Sequence, residues 1–468
     1  MKNIFFYILL TFFSFSIISC EDIDDNPVPS QLIINDFVWT GMSYYYLWQA
    51  ESPDLADNRF TSQSQYNAFL DSFETPTSLF NHLRIDNAID RFSVIYSDYT
   101  VLEGVLSGNT KNNGMDFALK YTDATNTAVI GWVRYIIPNS DAATKNVQRG
   151  DIFYAIDGIP LTNDNYRSLL ASDNYTISLA DYNNGSYLPN GESVSLTKTN
   201  LAENPILLNT VITQGTHKIG YLMYNGFYAS YDSQLNTVFG NFQAQQVTDL
   251  VLDLRYNSGG SIATATKLAS MITGQFSNQL FAKQQWNEKL QSYLESQNPS
   301  SLNNLFVSGL NSLNLNRVFI LTTKSTASAS ELVINCLKPY INVVQIGEKT
   351  TGKNVGSVTL YDSPSFTKNN VNPSHRYAMQ PIVLKTVNKE GFGDYSSGIS
   401  PINSNIKTEN IGNLGVLGSP TEPFFSAAIA QIVGSGRIML QTQDTHIPNF
   451  EDSKSLTPLR TEMYVELK

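Results

Sequence analysis

Two short segments of the chain carry a hydroxyl and an amine that could act together as nucleophile and base. Ser328 stands in the middle of STASASE, at residues 325–331, and Lys353 ends GEKTTGK, at residues 347–353. A serine hydroxyl becomes a nucleophile when a base takes its proton, and an uncharged lysine amine is such a base. Because the pKa of a free lysine is ~10.4, burial must bring it down to about 7. The pair therefore predicts acyl-transfer chemistry, with the two side chains ~3 Å apart.

The position of Ser328 between two predicted elements favours this chemistry. The apolar run at 317–322 predicts a strand and the pattern at 329–337 predicts a helix. A hydroxyl at a helix N-terminus lies beside free N–H groups that stabilise a developing oxyanion. The same residues also match the capping box S-x-x-E, in which Ser328 only caps the helix. A single loop lysine is commonly a solvated surface charge, so these two segments alone leave both interpretations open.

A third segment, DLRYNSGGS at residues 253–261, adds a glycine pair after an apolar strand predicted over 247–254. A helix is expected to follow the glycines. The backbone N–H groups of Gly259 and Gly260 could form half of an oxyanion hole. A glycine pair is also an ordinary tight turn, so it is weak evidence by itself.

Together, the three segments resemble the signature of the tail-specific, or C-terminal processing, serine proteases. That signature contains DLR.N.GG, SASASE and GE.T.GK in this order, and Lys353 follows Ser328 by 25 positions, as in the family. The resemblance implies that Ser328 is the nucleophile and Lys353 the general base. It also implies an oxyanion hole built from Gly259 or Gly260 and the Ala329 amide.

The resemblance assigns supporting roles as well. Arg255 and Asn257 would support the glycine loop. Many members carry a glutamine four positions after the lysine, where this chain has Ser357, so Ser357 or another polar group is expected to hold the amine. The reaction would need no metal and no organic cofactor. Its substrate would be a protein or peptide engaged near its C-terminus.

The elements that must position these segments predict an α+β multidomain chain. Helical periodicity over 34–98 predicts a helical N-terminal domain, with helices at 63–73 and 77–90. Alternating strands and helices over 206–435 predict parallel βαβ units, which form the α/β (βαβ) serine protease core implied by the resemblance. Residues 436–468 remain as a C-terminal extension.

Strand and turn signals over 99–205 predict a β domain between those two regions. Its run PNSDAATKNVQRGDIFYAIDGIPL resembles a PDZ domain of the bacterial protease type. PDZ domains bind the C-termini of other polypeptides by adding the peptide as an edge strand. The carboxylate-binding loop would fall at Asn113, Gly114 and Met115.

The N-terminus predicts an address outside the cytoplasm. Residues 1–20 combine Lys2 with an apolar stretch and predict a signal peptide. Cys20 follows Ser19, which resembles a lipobox with Cys20 as the lipidated residue; an ordinary signal peptide with an incidental cysteine is the alternative. The acidic, proline-containing residues 21–33 predict a tether. We expect membrane attachment through Cys20 in the envelope of a Gram-negative bacterium, facing the periplasm or the outside.

Composition excludes other classes. The net charge of −11, without a dense Lys/Arg run, argues against nucleic-acid binding. Two cysteines make no disulfide framework, and four scattered histidines lack metal-ligand spacing. The high tyrosine content and the missing glutamine leave two alternatives. One is a peptide-binding lipoprotein with little or no catalysis, and the other is a glycan-binding or nutrient-uptake surface lipoprotein.

Overall fold

The structure is a computed structural model that describes residues 27–183, 186–434, 449–459 and 461–467. The predicted signal peptide, Cys20 and most of the predicted tether lie outside the described residues. In those ranges, no helix is both long and apolar enough to span a bilayer.

Short helices open the described chain and pack directly onto the core that follows. Met42 and Leu79 belong to the same buried hydrophobic cluster as Leu252 and Leu268. The elements of this region are α1 (Ile33–Tyr45), α2 (Gln63–Asp71), α3 (Pro76–Leu83), β1 (Val94–Tyr96) and α4 (Tyr99–Leu106).

The helix predicted at 63–73 is confirmed by α2, but two expectations for this region are wrong. The helix predicted over 77–90 ends at Leu83, because the backbone of Arg84 is extended. Further along, the Asp90 carboxylate accepts the N–H groups of Phe92 and Ser93 and holds a turn. Strand signals were expected from Tyr99, where α4 begins instead. The Asp98 side chain accepts the Thr100 N–H and caps that helix. This capping signal outweighs the strand propensity of the β-branched residues in the segment.

An antiparallel sheet with one helix forms the next region. Strands predicted over 114–121, 129–137 and 152–156 are confirmed, and Asp157 and Gly158, both at positive φ, make the predicted hairpin turn. The elements are β2 (Asn109–Asn112), β3 (Met115–Tyr121), β4 (Val129–Ile136), β5 (Ile152–Ile156), β6 (Ile159–Pro160), α5 (Tyr166–Ala171), β7 (Asn174–Asn183), β8 (Ser186–Thr197) and β9 (Thr199–Ala202).

The remaining chain alternates strands and helices, as predicted. Its elements are β10 (Ile206–Gln214), β11 (His217–Tyr224), α6 (Asp232–Ala244), β12 (Asp249–Asp253), β13 (Gly259–Ser261), α7 (Ile262–Thr273), β14 (Leu280–Trp286), α8 (Glu288–Gln297), β15 (Asn303–Leu305), β16 (Arg317–Thr322), α9 (Ala329–Leu337), β17 (Asn342–Gly347), β18 (Val355–Ser357), β19 (Leu360–Tyr361), β20 (Ala378–Gln380), β21 (Ile382–Val387), α10 (Pro423–Ile432), β22 (Asn449–Asp452) and β23 (Glu462–Tyr464).

The central sheet of this region has the order β10-β11-β12-β16-β17, and its last four strands are parallel. Helices cover both faces. Leu252 of β12 belongs to the buried cluster that contains residues of α6, α7 and α9, whereas Val251 belongs to the cluster that contains Phe425 of α10. Full burial on both faces explains the continuous apolar runs in these strands. A mixed α/β fold with a helical N-terminal region and a β-rich core is thereby confirmed.

A second sheet lies beside the first, in the order β13-β23-β18-β21-β14-β15. Its strand β23 comes from the C-terminal residues, and β22 pairs with β3 of the antiparallel sheet. The residues predicted as an extension therefore contribute strands to two sheets.

Candidate active site

The three motifs meet at one edge of the central sheet. Strands β12, β16 and β17 are parallel neighbours that end at Asp253, Thr322 and Gly347. Each motif begins at or directly after one of these ends. The carboxyl ends of parallel strands are where α/β folds place their sites, because the connecting loops converge there.

Ser328 lies in a strained turn that leaves its hydroxyl unused. Its backbone has φ 64° and ψ −115°, a region that residues other than glycine rarely occupy. Its N–H donates to Glu331 Oε2 at 2.7 Å. The hydroxyl is fully buried and has no hydrogen-bond partner among the described residues. The predicted capping box therefore forms on the glutamate side, and Ser328 Oγ remains available.

Lys353 is also fully buried. Burial lowers the pKa of its amine to about 7, although the nearby carboxylates of Glu462, Asp90 and Glu331 raise it. The amine lies 4.8 Å from the centroid of the Phe92 ring. A lysine with this pKa is a base near neutral pH, as the predicted chemistry requires.

The expected hydrogen bond between Ser328 and Lys353 is not formed. The Lys353 amine donates instead to the Thr461 carbonyl, at 2.7 Å. Nor does Ser357 hold the amine: its hydroxyl donates to the Met463 carbonyl at 3.2 Å and accepts from Gln380 at 2.9 Å. Both side chains donate instead to backbone carbonyls of the C-terminal residues, the Lys353 amine to Thr461 and the Ser357 hydroxyl to Met463.

Glu331 joins the serine turn to the lysine turn. Its Oε2 accepts the N–H groups of Ser328 at 2.7 Å and Lys353 at 2.8 Å. Its Oε1 accepts the Gly352 N–H at 2.7 Å and the Thr350 hydroxyl. Burial raises the pKa of Glu331, while these four donors lower it. One fully buried carboxylate thus fixes the two turns beside each other.

The glycine loop is anchored to the serine turn by Asn257. Its side chain donates to the Tyr224 carbonyl at 2.8 Å and accepts the Gly259 N–H at 2.8 Å, and its own carbonyl accepts the Ala327 N–H at 3.0 Å. Because the Gly259 N–H is already used, Gly260 is left as the donor that a bound oxyanion could reach.

Gly259 is required by space. A Cβ there would lie 2.7 Å from the Cβ of Ser328 and 2.0 Å from the Glu462 carbonyl oxygen, at φ 115°. Arg255 supports the loop from behind. Its guanidinium is fully buried and binds Asp253 at 2.6 Å and Glu422 at 2.8 Å.

The three turns lie in a part of the chain that matches the profile of a protein family. The profile of Peptidase family S41 matches residues 218–367, and that of the Peptidase S41 N-terminal domain matches residues 33–94. The chain therefore carries Peptidase S41 family domains over these two ranges. S41 is a family of serine proteases, so the predicted family is confirmed.

Individual relatives agree with this assignment. A carboxyl-terminal-processing protease of Picosynechococcus sp. is 24% identical over 221 residues, which cover 46% of this chain and 49% of the relative. The chain thus spans about half the length of that curated protein. A crystal structure of a candidate S41 protease from Bacteroides fragilis NCTC 9343 superposes with a TM-score of 0.65 and 27% identity, over 86% of this chain and 97% of the other.

A third comparison concerns the fold alone. The photosystem II D1 C-terminal processing protease has a TM-score of 0.51 at 16% identity, covering 88% of this chain and 100% of the other.

The loop at Asn113, Gly114 and Met115, predicted to bind a peptide carboxylate, makes its hydrogen bonds within itself and its own region. The Gly114 N–H donates to the Asn112 side chain at 2.8 Å, and the Met115 N–H donates to the Asn113 side chain at 3.1 Å. The Asn113 amide also donates to the Tyr175 hydroxyl at 2.7 Å. The N–H groups that would bind a carboxylate are therefore occupied within the loop.

Several site residues were missed by sequence reasoning. Glu331 was considered only as a helix cap, although the motif contained it. Asp90, Thr461 and Glu462 approach Lys353 from distant parts of the sequence and carry no local signal.

Proposed function

We propose that this S41 protein is a serine-type endopeptidase of the C-terminal processing type, with Ser328 as nucleophile and Lys353 as general base. One observation carries the proposal: a buried lysine with a pKa of about 7 is fixed by Glu331 to the turn that presents a free, strained serine hydroxyl. A structural serine or a surface lysine would have neither property.

The reaction would run in two halves. Neutral Lys353 takes the proton of Ser328 as Oγ forms a bond to the scissile carbonyl carbon, and the N–H groups of Gly260 and Ala329 stabilise the oxyanion. The carbon–nitrogen bond then breaks, and the Lys353 ammonium gives its proton to the departing amine. Water attacks the acyl-enzyme, Lys353 takes its proton and returns it to Ser328 Oγ, and the acid is released.

The sequence also supports a proposal for the substrate and the location. We propose a protein or peptide substrate engaged near its C-terminus by residues 99–205 acting as a PDZ-like domain. Phe117 of β3 and Leu170 of α5 share one buried hydrophobic cluster, an arrangement that supports such a domain, since PDZ ligands bind between a strand and a helix. We also propose attachment to the cell envelope through Cys20.

A serine-reactive fluorophosphonate tests the nucleophile. The parent protein is expected to gain one label at Ser328, located by peptide mass mapping, and the variant Ser328→Ala is expected to gain none. The variant Ser330→Ala, two positions away and equally buried, is the control and should be labelled. Equal labelling of the parent and Ser328→Ala would support the catalytically inactive, peptide-binding alternative.

The rate of this labelling should depend on pH through Lys353. Because the base must be neutral, the rate should fall as the pH drops below about 7 and reach a plateau above it. The charged groups that face the amine are Glu462, Asp90, Glu331 and Arg91. A pH–rate profile from 5 to 10 (roughly the range in which such groups titrate) measures this limb. A midpoint near that of an ordinary lysine would contradict the assignment.

A further inference from the structure

The C-terminal segment, defined as residues 449–459 and 461–467, covers the candidate active site. Its strand β23 lies between β13, which carries the glycine pair, and β18, which follows Lys353, and is parallel to both. The Glu462 N–H donates to the Ser258 carbonyl at 3.1 Å, and the Val465 N–H donates to the Ser357 carbonyl at 3.1 Å. Backbone groups beside the nucleophile and the base therefore pair with this strand.

Carbonyl groups of this segment bind the two groups that we expect to act on a substrate, the Gly260 N–H and the Lys353 amine. The register pairs Gly259 with Glu462 and Gly260 with Met463. In a parallel ladder of this register, the Gly260 N–H faces the Glu462 carbonyl. The preceding carbonyl, that of Thr461, accepts a hydrogen bond from the Lys353 amine. The segment thus takes the donor expected to bind the oxyanion and the amine expected to activate Ser328.

The same segment also covers the edge of the antiparallel sheet. Strand β22 pairs antiparallel with β3, which is the mode in which a peptide is added to a sheet edge. The Phe450 ring stacks on Tyr121 of β3 at 4.1 Å and meets Tyr166 of α5 edge-on at 5.6 Å. Arg167 of α5 binds Glu451 at 3.0 Å. β22 therefore fills the groove between β3 and α5.

Two side chains at the end of β22 and just after it, those of Asp452 and Lys454, connect both sites. The Asp452 carboxylate accepts the Ser325 hydroxyl of the serine motif at 2.7 Å and binds Arg134 of β4 at 3.2 Å. The Lys454 amine donates to the Tyr256 carbonyl of the glycine loop at 3.0 Å. One stretch of polypeptide thus contacts the peptide groove and all the catalytic turns.

We infer that the C-terminal segment is an intramolecular competitor of the substrate. Its strand β22 lies in the groove beside β3, the helical turn Ser453–Leu456 follows, and its strand β23 lies at the catalytic turns. A substrate must displace it before Ser328 and Lys353 can form their hydrogen bond. The inference rests on the proposed function and names what its substrate is: an unfolded, strand-forming peptide that binds first along β3.

Proline substitutions in the full-length protein test this competition. Glu462→Pro removes a backbone donor of β23, and Val465→Pro removes the donor directly after that strand. Loss of one such hydrogen bond shifts release of the strand by about tenfold. Both variants are expected to react with fluorophosphonate about tenfold faster than the parent. Glu466→Pro changes an exposed neighbour and should react at the parent rate. A synthetic peptide of residues 449–467 should slow the variants again, whereas a scrambled peptide should not.

A measurement on the parent covers the case in which the variants fold poorly. Amide hydrogen exchange of residues 461–465 is compared before and after Ser328 carries a bulky fluorophosphonate. Loss of protection in that stretch is expected, because the strand must leave. Unchanged protection, or folded proline variants that react no faster, would show that β23 is a permanent part of the fold. If the parent and Ser328→Ala are labelled equally, the proposed function fails instead.

Discussion

The variant Lys353→Met is expected to lower kcat/KM on an unfolded protein such as casein by about 10⁴-fold, the upper end of what general acid–base catalysis contributes. Methionine is nearly as long as lysine and suits a fully buried site beside Phe92. The loss would therefore arise from chemistry and not from a cavity.

The stability of the variant shows whether activity is lost through the missing base or through a damaged fold. Removing a buried amine relieves its desolvation and leaves the Thr461 carbonyl without that donor, so the free energy of unfolding should change by less than about 2 kcal/mol. Lys349→Met, in the same loop but exposed, is the matched control and should keep parent activity. A Lys353→Met protein that retains more than about a tenth of parental kcat/KM would show that another group accepts the proton.

The central sheet and the three turns could be predicted because their signals are local. Strand β16 and helix α9 have the bounds that the sequence indicates, since a continuous apolar run, small turn residues and a helical pattern follow one another without interruption. Parallel pairing then fixes where the turns meet. The order of the parallel strands was therefore enough to predict that the Lys353 turn lies near the Ser328 turn.

The role of the C-terminal strand could not be predicted in this way. Strand β23 has three residues, and Glu462 at its start is a charged residue that composition assigns to the surface, yet it is buried. Burial raises the pKa of Glu462 to about 7, and the nearby Lys454 and Lys353 offset this. Such a placement depends on partners far away in the sequence. The strand and helix periodicities, two and 3.6 residues, report only local structure and cannot predict it.

The backbone conformation of Ser328 is a feature that the sequence leaves undecided. The sequence S-x-x-E fits a capped helix as well as a presented nucleophile, and both require the same glutamate. The structure decides between them: the Ser328 backbone has a positive φ, and its hydroxyl has no hydrogen-bond partner among the described residues. Strain of this kind persists where the surrounding structure imposes it. At this site, the group that imposes it is Glu331.

Glu331→Ala is accordingly expected to lower the free energy of unfolding by about 3 to 5 kcal/mol and to abolish fluorophosphonate labelling. The carboxylate is fully buried and accepts three backbone N–H groups and one hydroxyl. Alanine leaves these donors buried and unpaired, each at a cost of about 1 to 3 kcal/mol before the turns relax. Urea unfolding measures the stability loss.

Glu331→Gln distinguishes positioning from packing. Glutamine has the same shape but one acceptor oxygen, and its NH₂ group would face N–H donors of the opposite turn. It should therefore lose less stability than alanine while still separating the Ser328 and Lys353 turns, so that labelling falls although the protein remains folded. Glu288→Ala, at an exposed position in the first turn of α8, is the control for removing a helix-terminal glutamate. A folded Glu331→Gln protein with parent labelling would show that the two turns hold their positions without this carboxylate.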